Sequence, residues 1–132
     1  MGLLDFLKSD QTSDNSQNEN KFKQNWEALV NEEQLEVIKE ASKTKLQVIF
    51  KHSTRCIISK RMLEQFDKEC TLDTDKVQLY VLDLITYRPV SNKIAADFEV
   101  EHQSPQCLVI KDGKAISVRS SHEVSAKVLE EL

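Results

Sequence analysis

Two short apolar runs, "LQVIFKH" (46–52) and "VQLYVLDL" (77–84), constrain this chain more than any other feature. Each is nearly continuous rather than alternating, the pattern of a strand covered on both faces, as in a parallel sheet. Parallel neighbours cannot be joined by a tight turn; they need a crossover, usually a helix. The segment between them supplies one. Ile58, Met62, Phe66 and Cys70 recur every four residues and Leu63 widens the stripe, so an amphipathic helix runs from Ile57.

The flanking segments extend the pattern. Asn31 is an N-cap with Gln34 three residues on, a capping-box arrangement, and Leu35, Ile38 and Ala41 follow at helical spacing. This predicts a helix over 32–42. Pro89 suits a first helical position, with Val90, Ile94 and Phe98 on one face. "SPQCLVI" and "AISVRS" flank "KDGK", and Asp-Gly between β-rich runs signals a hairpin. Val124, Val128 and Leu132 predict a closing amphipathic helix. The order is an extra N-terminal helix, then β-α-β-α-β-β-α. The expected fold class is α/β: a central four-stranded mixed sheet flanked by helices, its first two strands parallel and its hairpin antiparallel.

A length of 132 residues suits one domain. Residues 9–20, "SDQTSDNSQNEN", hold no hydrophobic side chain and cannot offset their ordering entropy. Residues 1–24 are therefore expected to be a flexible polar tail, with "LLDFL" as its tip, and 25–132 the folded domain. With 18 basic against 22 acidic side chains and no basic cluster, nucleic acid is not an expected partner. No apolar run has the length to span a bilayer. The opening "MGLLDFLKSD" lacks the basic start of a signal peptide and the Ser or Thr of a myristoylation signal. The expected setting is the cytoplasm, where an unpaired thiol is core, catalytic or metal-binding rather than disulfide-bonded.

Cys56 lies where the first strand passes into its helix. Backbone N–H groups there have no intrahelical partner and the helix dipole favours negative charge, so this is a place for a nucleophilic sulfur. The polar "HST" before it points to an exposed loop rather than core. Arg55 adds positive potential. Ser59 occupies the second position of a Cys-x-x-Cys motif, where its hydroxyl can donate a hydrogen bond to the sulfur but cannot form a disulfide. Cys70 lies 14 positions along the same helix, about 21 Å away. Disulfides require Cα atoms within about 7 Å. Cys107 sits in an apolar strand and reads as core. The site is expected to have one cysteine.

Ser104-Pro105 forms a second element, because a proline just before a strand marks a tight turn in which a cis bond is accessible. His52, His102 and His122 show no paired ligand spacing and there is no Cys-x-x-Cys, so no metal site is expected. His52 is read as a surface loop histidine rather than a base for Cys56. The acidic residues read as solvated helix faces.

With "FKHSTRCIIS" and "HQSPQCLVIKDGK" the chain resembles the monothiol bacilliredoxins, the bacillithiol-system (YtxJ-like) branch of the thioredoxin superfamily, from about Trp26 to Leu132. The resemblance implies a thioredoxin-like fold and a cytosolic oxidoreductase that removes a low-molecular-weight thiol from protein mixed disulfides. It makes Cys56 the nucleophile, Ser59 the replacement for a resolving cysteine and Pro105 a cis-proline set against the sulfur. Thr54, Arg55, Ile57, Ser59, Ser104 and Pro105 become the thiolate-stabilising or substrate-binding residues. The family often has proline directly after the cysteine; here Ile57 stands there. The implied co-substrate is bacillithiol or a similar small thiol, with no bound cofactor. The implied partners are S-thiolated cytosolic proteins, with no membrane or nucleic acid, and a monomeric state. The rival expectations are a non-catalytic binding module of the same fold and a redox sensor modified on Cys56 without turnover.

Overall fold

The computed structural model describes residues 22–132. The expected tail and its "LLDFL" tip lie outside the described residues up to position 21. The elements are β1 (Trp26–Ala28), α1 (Glu33–Ala41), β2 (Leu46–His52), α2 (Ile57–Glu69), β3 (Val77–Asp83), α3 (Arg88–Asp97), β4 (Gln106–Lys111) and β5 (Lys114–Ser120). Two 3₁₀ turns, Ser121–Glu123 and Ala126–Glu131, close the chain. Among the described residues, no helix is long and apolar enough to cross a membrane.

The sheet has five strands in the order β1-β3-β2-β4-β5, rather than the four expected. β1, β3 and β2 run parallel, β4 is antiparallel to β2, and β5 to β4. The unexpected strand, β1, is three residues long; Trp26 and Ala28 are buried and Glu27 is exposed. That alternation is too short to stand out as a strand in the sequence. The two apolar runs are β2 and β3, side by side as expected.

Two apolar layers cover the sheet. On one face Trp26, Val48, Phe50 and Val81 meet Leu63 and Phe66 of α2. On the other Ile49, Tyr80, Leu82 and Leu108 meet Leu35 and Ile38 of α1 and Val90 and Ile94 of α3. Adjacent positions of β2 thus serve opposite layers, as strand alternation requires. The capping box forms: Asn31 Oδ1 accepts from Gln34 N at 3.0 Å, and Gln34 Oε1 accepts from Asn31 N at 3.1 Å. In the hairpin, Asp112 and Gly113 both take positive φ, 52° and 75°, the geometry that favours Asp-Gly.

Three expectations need correction. The C-terminal segment is 3₁₀ rather than α; Val124 and Val128 are buried, but Leu132 is exposed. Ser125, extended and accepting from Lys127 N, breaks the segment into pieces too short to propagate an α-helix. In α2 the buried face is Ser59, Leu63, Phe66 and Asp67, so Ile58 lies at its margin, partly exposed. Asp67 is also no solvated acid. It is fully buried and accepts from Lys23 N, Gln24 N and the Trp26 indole N–H at 2.6, 2.8 and 2.9 Å. That carboxylate ties the start of the domain to α2.

Candidate active site

β2 ends at His52, and the chain crosses to α2 through Ser53, Thr54, Arg55 and Cys56. Cys56 N donates to Ser53 O at 3.2 Å and closes this turn, and Lys60 N donates to Cys56 O at 3.1 Å and opens the helix. Cys56 is the N-cap residue, with extended backbone (φ −114°, ψ 120°). No side chain caps this helix end and its first turn holds no acid. The orphan N–H groups and the positive end of the dipole therefore face the position held by the half-buried cysteine.

Ser59 departs from its expected role. It is fully buried, and its hydroxyl lies 2.7 Å from His52 Nδ1 and accepts from Ser53 N at 3.0 Å. The arrangement that satisfies all three groups has Ser59 donating to His52 while accepting from Ser53. Its hydroxyl is thus committed to the strand end, not to the sulfur, and it pins the loop that carries Cys56. His52 is likewise not a surface loop residue: it is 1% exposed. Burial pushes its pKa down to about 4, against the opposing charge of Asp83, with Lys60 adding to the depression. It is a neutral structural imidazole at neutral pH.

The Ser104–Pro105 peptide is cis. Lys51 pairs with Gln106 across the β2–β4 ladder, so extending that register by one residue sets Pro105 opposite His52. Pro105 O accepts from Ser121 N at 2.9 Å. Cys56, Ser59 and Pro105 therefore gather at the C-terminal end of the sheet. Ser104, Thr54 and Arg55 are exposed at this end. Ile57 is 72% exposed immediately after the cysteine. The other thiols lie elsewhere. Cys70 is buried at the far end of α2, and burial is the main cause that raises its pKa. Cys107 is buried in β4, its thiol pushed up to about 12 mainly by burial and further by neighbouring Cys70. Among the described residues, no group of three or more His, Cys, Asp or Glu side chains is placed to hold a metal.

His52 is the positioning residue that the sequence reading left on the surface, and Ser59, expected beside the sulfur, pairs with it instead. The signal was their spacing: a serine one turn into the helix, buried beneath a polar residue at the end of a doubly covered strand.

Solved structures share the fold. One, assigned as an oxidoreductase with a thioredoxin fold, is 29% identical, with a TM-score of 0.68 over 80% of this chain and 91% of its own. Thioredoxin from Malassezia sympodialis is 18% identical with a TM-score of 0.64, over 83% of this chain and 89% of its own. Thioredoxin from Nicotiana alata is 22% identical with a TM-score of 0.59, over 80% and 87%. The family model for monothiol bacilliredoxin BrxC matches residues 27–129. With nearly the whole described domain matched, the chain belongs to the monothiol bacilliredoxin family, thiol oxidoreductases on a thioredoxin-like scaffold.

Proposed function

We propose that this protein is a monothiol disulfide reductase acting on mixed disulfides between cytosolic proteins and a low-molecular-weight thiol of the bacillithiol type. The Cys56 thiolate attacks the small-thiol sulfur. A Cys56–small-thiol disulfide forms, the protein–small-thiol bond breaks, and the protein sulfur leaves as a thiolate that takes a proton from water. A second small-thiol molecule, as thiolate, then attacks the adduct. It releases the Cys56 thiolate together with a symmetric small-thiol disulfide.

The observation that carries this reading is the pairing of Cys56 at an uncapped helix start with Ser59 one turn on, buried and hydrogen-bonded inward. The position of a resolving thiol is filled by a loop anchor, so the second thiol comes from solution. The exposed Ile57 and Ile58 offer an apolar rim suited to a protein-sized substrate. Cys56→Ser should abolish release of the small thiol from an S-thiolated model protein, whereas Cys70→Ser should retain it. Equal activity in the wild type and both variants would sink the proposal. A binding module predicts slow alkylation of Cys56, and a sensor predicts stoichiometric modification without repeated turnover.

A further inference from the structure

No Asp or Glu occurs between Glu40 and Glu64. Within that span Arg55, Lys60 and Arg61 are exposed around the start of α2, and among the described residues none of the three is ion-paired. Lys60 closes the first turn of α2, near the positive end of the helix dipole, where a cation is unfavourable. Beside these charges Ile57 and Ile58 are 72% and 43% exposed. The surface next to Cys56 is thus an apolar knob edged by uncompensated cations.

Its complement lies elsewhere on the same chain. The β1–α1 loop and the starts of α1 and α3 enclose a groove of 710 Å³. Val30, Tyr87 and Pro89 line its wall, and Glu32, Glu33 and Glu36 its rim. Among the described residues Glu32 and Glu33 form no ion pair, and Glu36 meets only Lys39, at 3.2 Å. One cation, Lys93, also lines the groove, but Asp97 holds it at 3.3 Å. β1 and β3 run parallel to β2, so the groove and Cys56 share the carboxyl end of the sheet. They lie on opposite faces, because α1 and α3 cover one side and α2 the other. The sheet therefore keeps knob and groove of one chain apart.

We propose that two copies of this chain associate end to end, each seating Ile57 and Ile58 in the α1–α3 groove of the other and covering Cys56. Both patches lie at one end of the sheet, so a two-fold axis lets each copy give its knob and receive its partner's, and the interface closes as a dimer. Reciprocal contact buries the pair of patches twice, toward the area that a specific interface requires. Apolar side chains form the centre and opposite charges the margin, which steers encounter and makes the association salt-sensitive. The charges also select the occupant. Residues 9–20 carry Asp10, Asp14 and Glu19 and no cation, so the acidic rim repels the chain's own tail. The dimer masks Cys56, which makes the monomer the reactive form. The association itself does not depend on the chemistry of Cys56.

Sedimentation of the full chain tests the contact, under a phosphine reductant that prevents disulfide-linked dimers. At low salt the weight-average mass should rise with concentration from 15.2 kDa toward about twice that value. It should fall back in about 1 M salt, where the screening length is about 3 Å. Lys60→Glu/Arg61→Glu and Glu33→Lys/Glu36→Lys should each stay monomeric alone, because like charges then face each other. Mixed in equal amounts they should dimerise, since both contacts between the two proteins again join opposite charges. Ile57→Ser, at a highly exposed position, should also lose the dimer and keeps the test decisive if the α1 variant does not fold. Alkylation of Cys56 should slow with concentration in the wild type and not in either charge variant alone. A wild type that stays monomeric throughout overturns the proposal, as does a dimer that the variants retain. A mixture that fails to dimerise, or a dimer whose Cys56 alkylates as fast as the monomer's, overturns it too.

Discussion

Acidification from pH 6.5 to pH 4 should destabilise this fold through His52. His52 is 1% exposed, with Nδ1 2.7 Å from the Ser59 hydroxyl. Burial holds its pKa at about 4, against 6.5 for a free imidazole. Between those values the native imidazole is neutral while the unfolded one is charged, so the unfolded state binds one more proton. Stability therefore rises with pH across this window, by about 1.4 kcal/mol per pH unit. Integrated over the interval, about 3 kcal/mol is present above pH 6.5 and lost by pH 4. Urea unfolding across that range should show the loss in the wild type and not in His52→Gln, which keeps a donor and an acceptor but has no charge to gain. Titrations of His102, Glu69 and Asp97 are common to both proteins and cancel in the difference. Parallel stability profiles for the two proteins would refute the reasoning, since they would mean that His52 protonates as easily folded as unfolded.

Other residues give shorter tests. Ser59→Ala leaves Ser53 N and His52 Nδ1 without the hydroxyl and should cost about 2 to 3 kcal/mol in chemical denaturation; a cost below about half a kcal/mol would mean the loop is held otherwise. Asp67→Ala removes the acceptor of two backbone amides and the Trp26 indole. It should cost about 3 kcal/mol or more and alter Trp26 fluorescence in the native state. Phe66→Ala, in contact with the Trp26 and Phe50 rings, should cost about 3 to 5 kcal/mol. Native-state alkylation at neutral pH should label Cys56 alone, because burial raises the pKa of both Cys70 and Cys107. Labelling of Cys107 at a rate comparable to Cys56 would contradict its placement.

What could be read from the sequence follows the strength of the local signals. β2 was legible to the residue because a seven-residue apolar run has few alternatives, and the capping box and Asp-Gly turn are chemically specific. Cys56 was legible because a strand-to-helix junction has the same dipole in any fold. β1 was not: three residues carry little periodicity, and its place is set by pairing with β3, more than 50 positions away. The final helix failed for the opposite reason. Spacing of four looked helical, but the segment after Ser125 is too short for α geometry to repay nucleation.

The polar residues around the site show where identity misleads. His52 and Asp67 were assigned to the surface because charged and polar side chains are mostly exposed. Yet the reading of "LQVIFKH" as a strand covered on both faces already implied more. If every position of such a strand is covered, its last two residues must be buried too, and alternation must send them to opposite layers. Lys51 and His52 obey this, at 0% and 1% exposure. Their burial has different consequences because their partners differ. His52 meets a serine hydroxyl and becomes a neutral anchor for the loop of Cys56, whereas Lys51 meets a histidine and an arginine and keeps an unbalanced charge. A polar residue inside the apolar run of a covered strand is therefore a site signal in its own right. It marks the end of the sheet where the core gives way to ligand-facing loops, which in open α/β sheets is the carboxyl end of the strands.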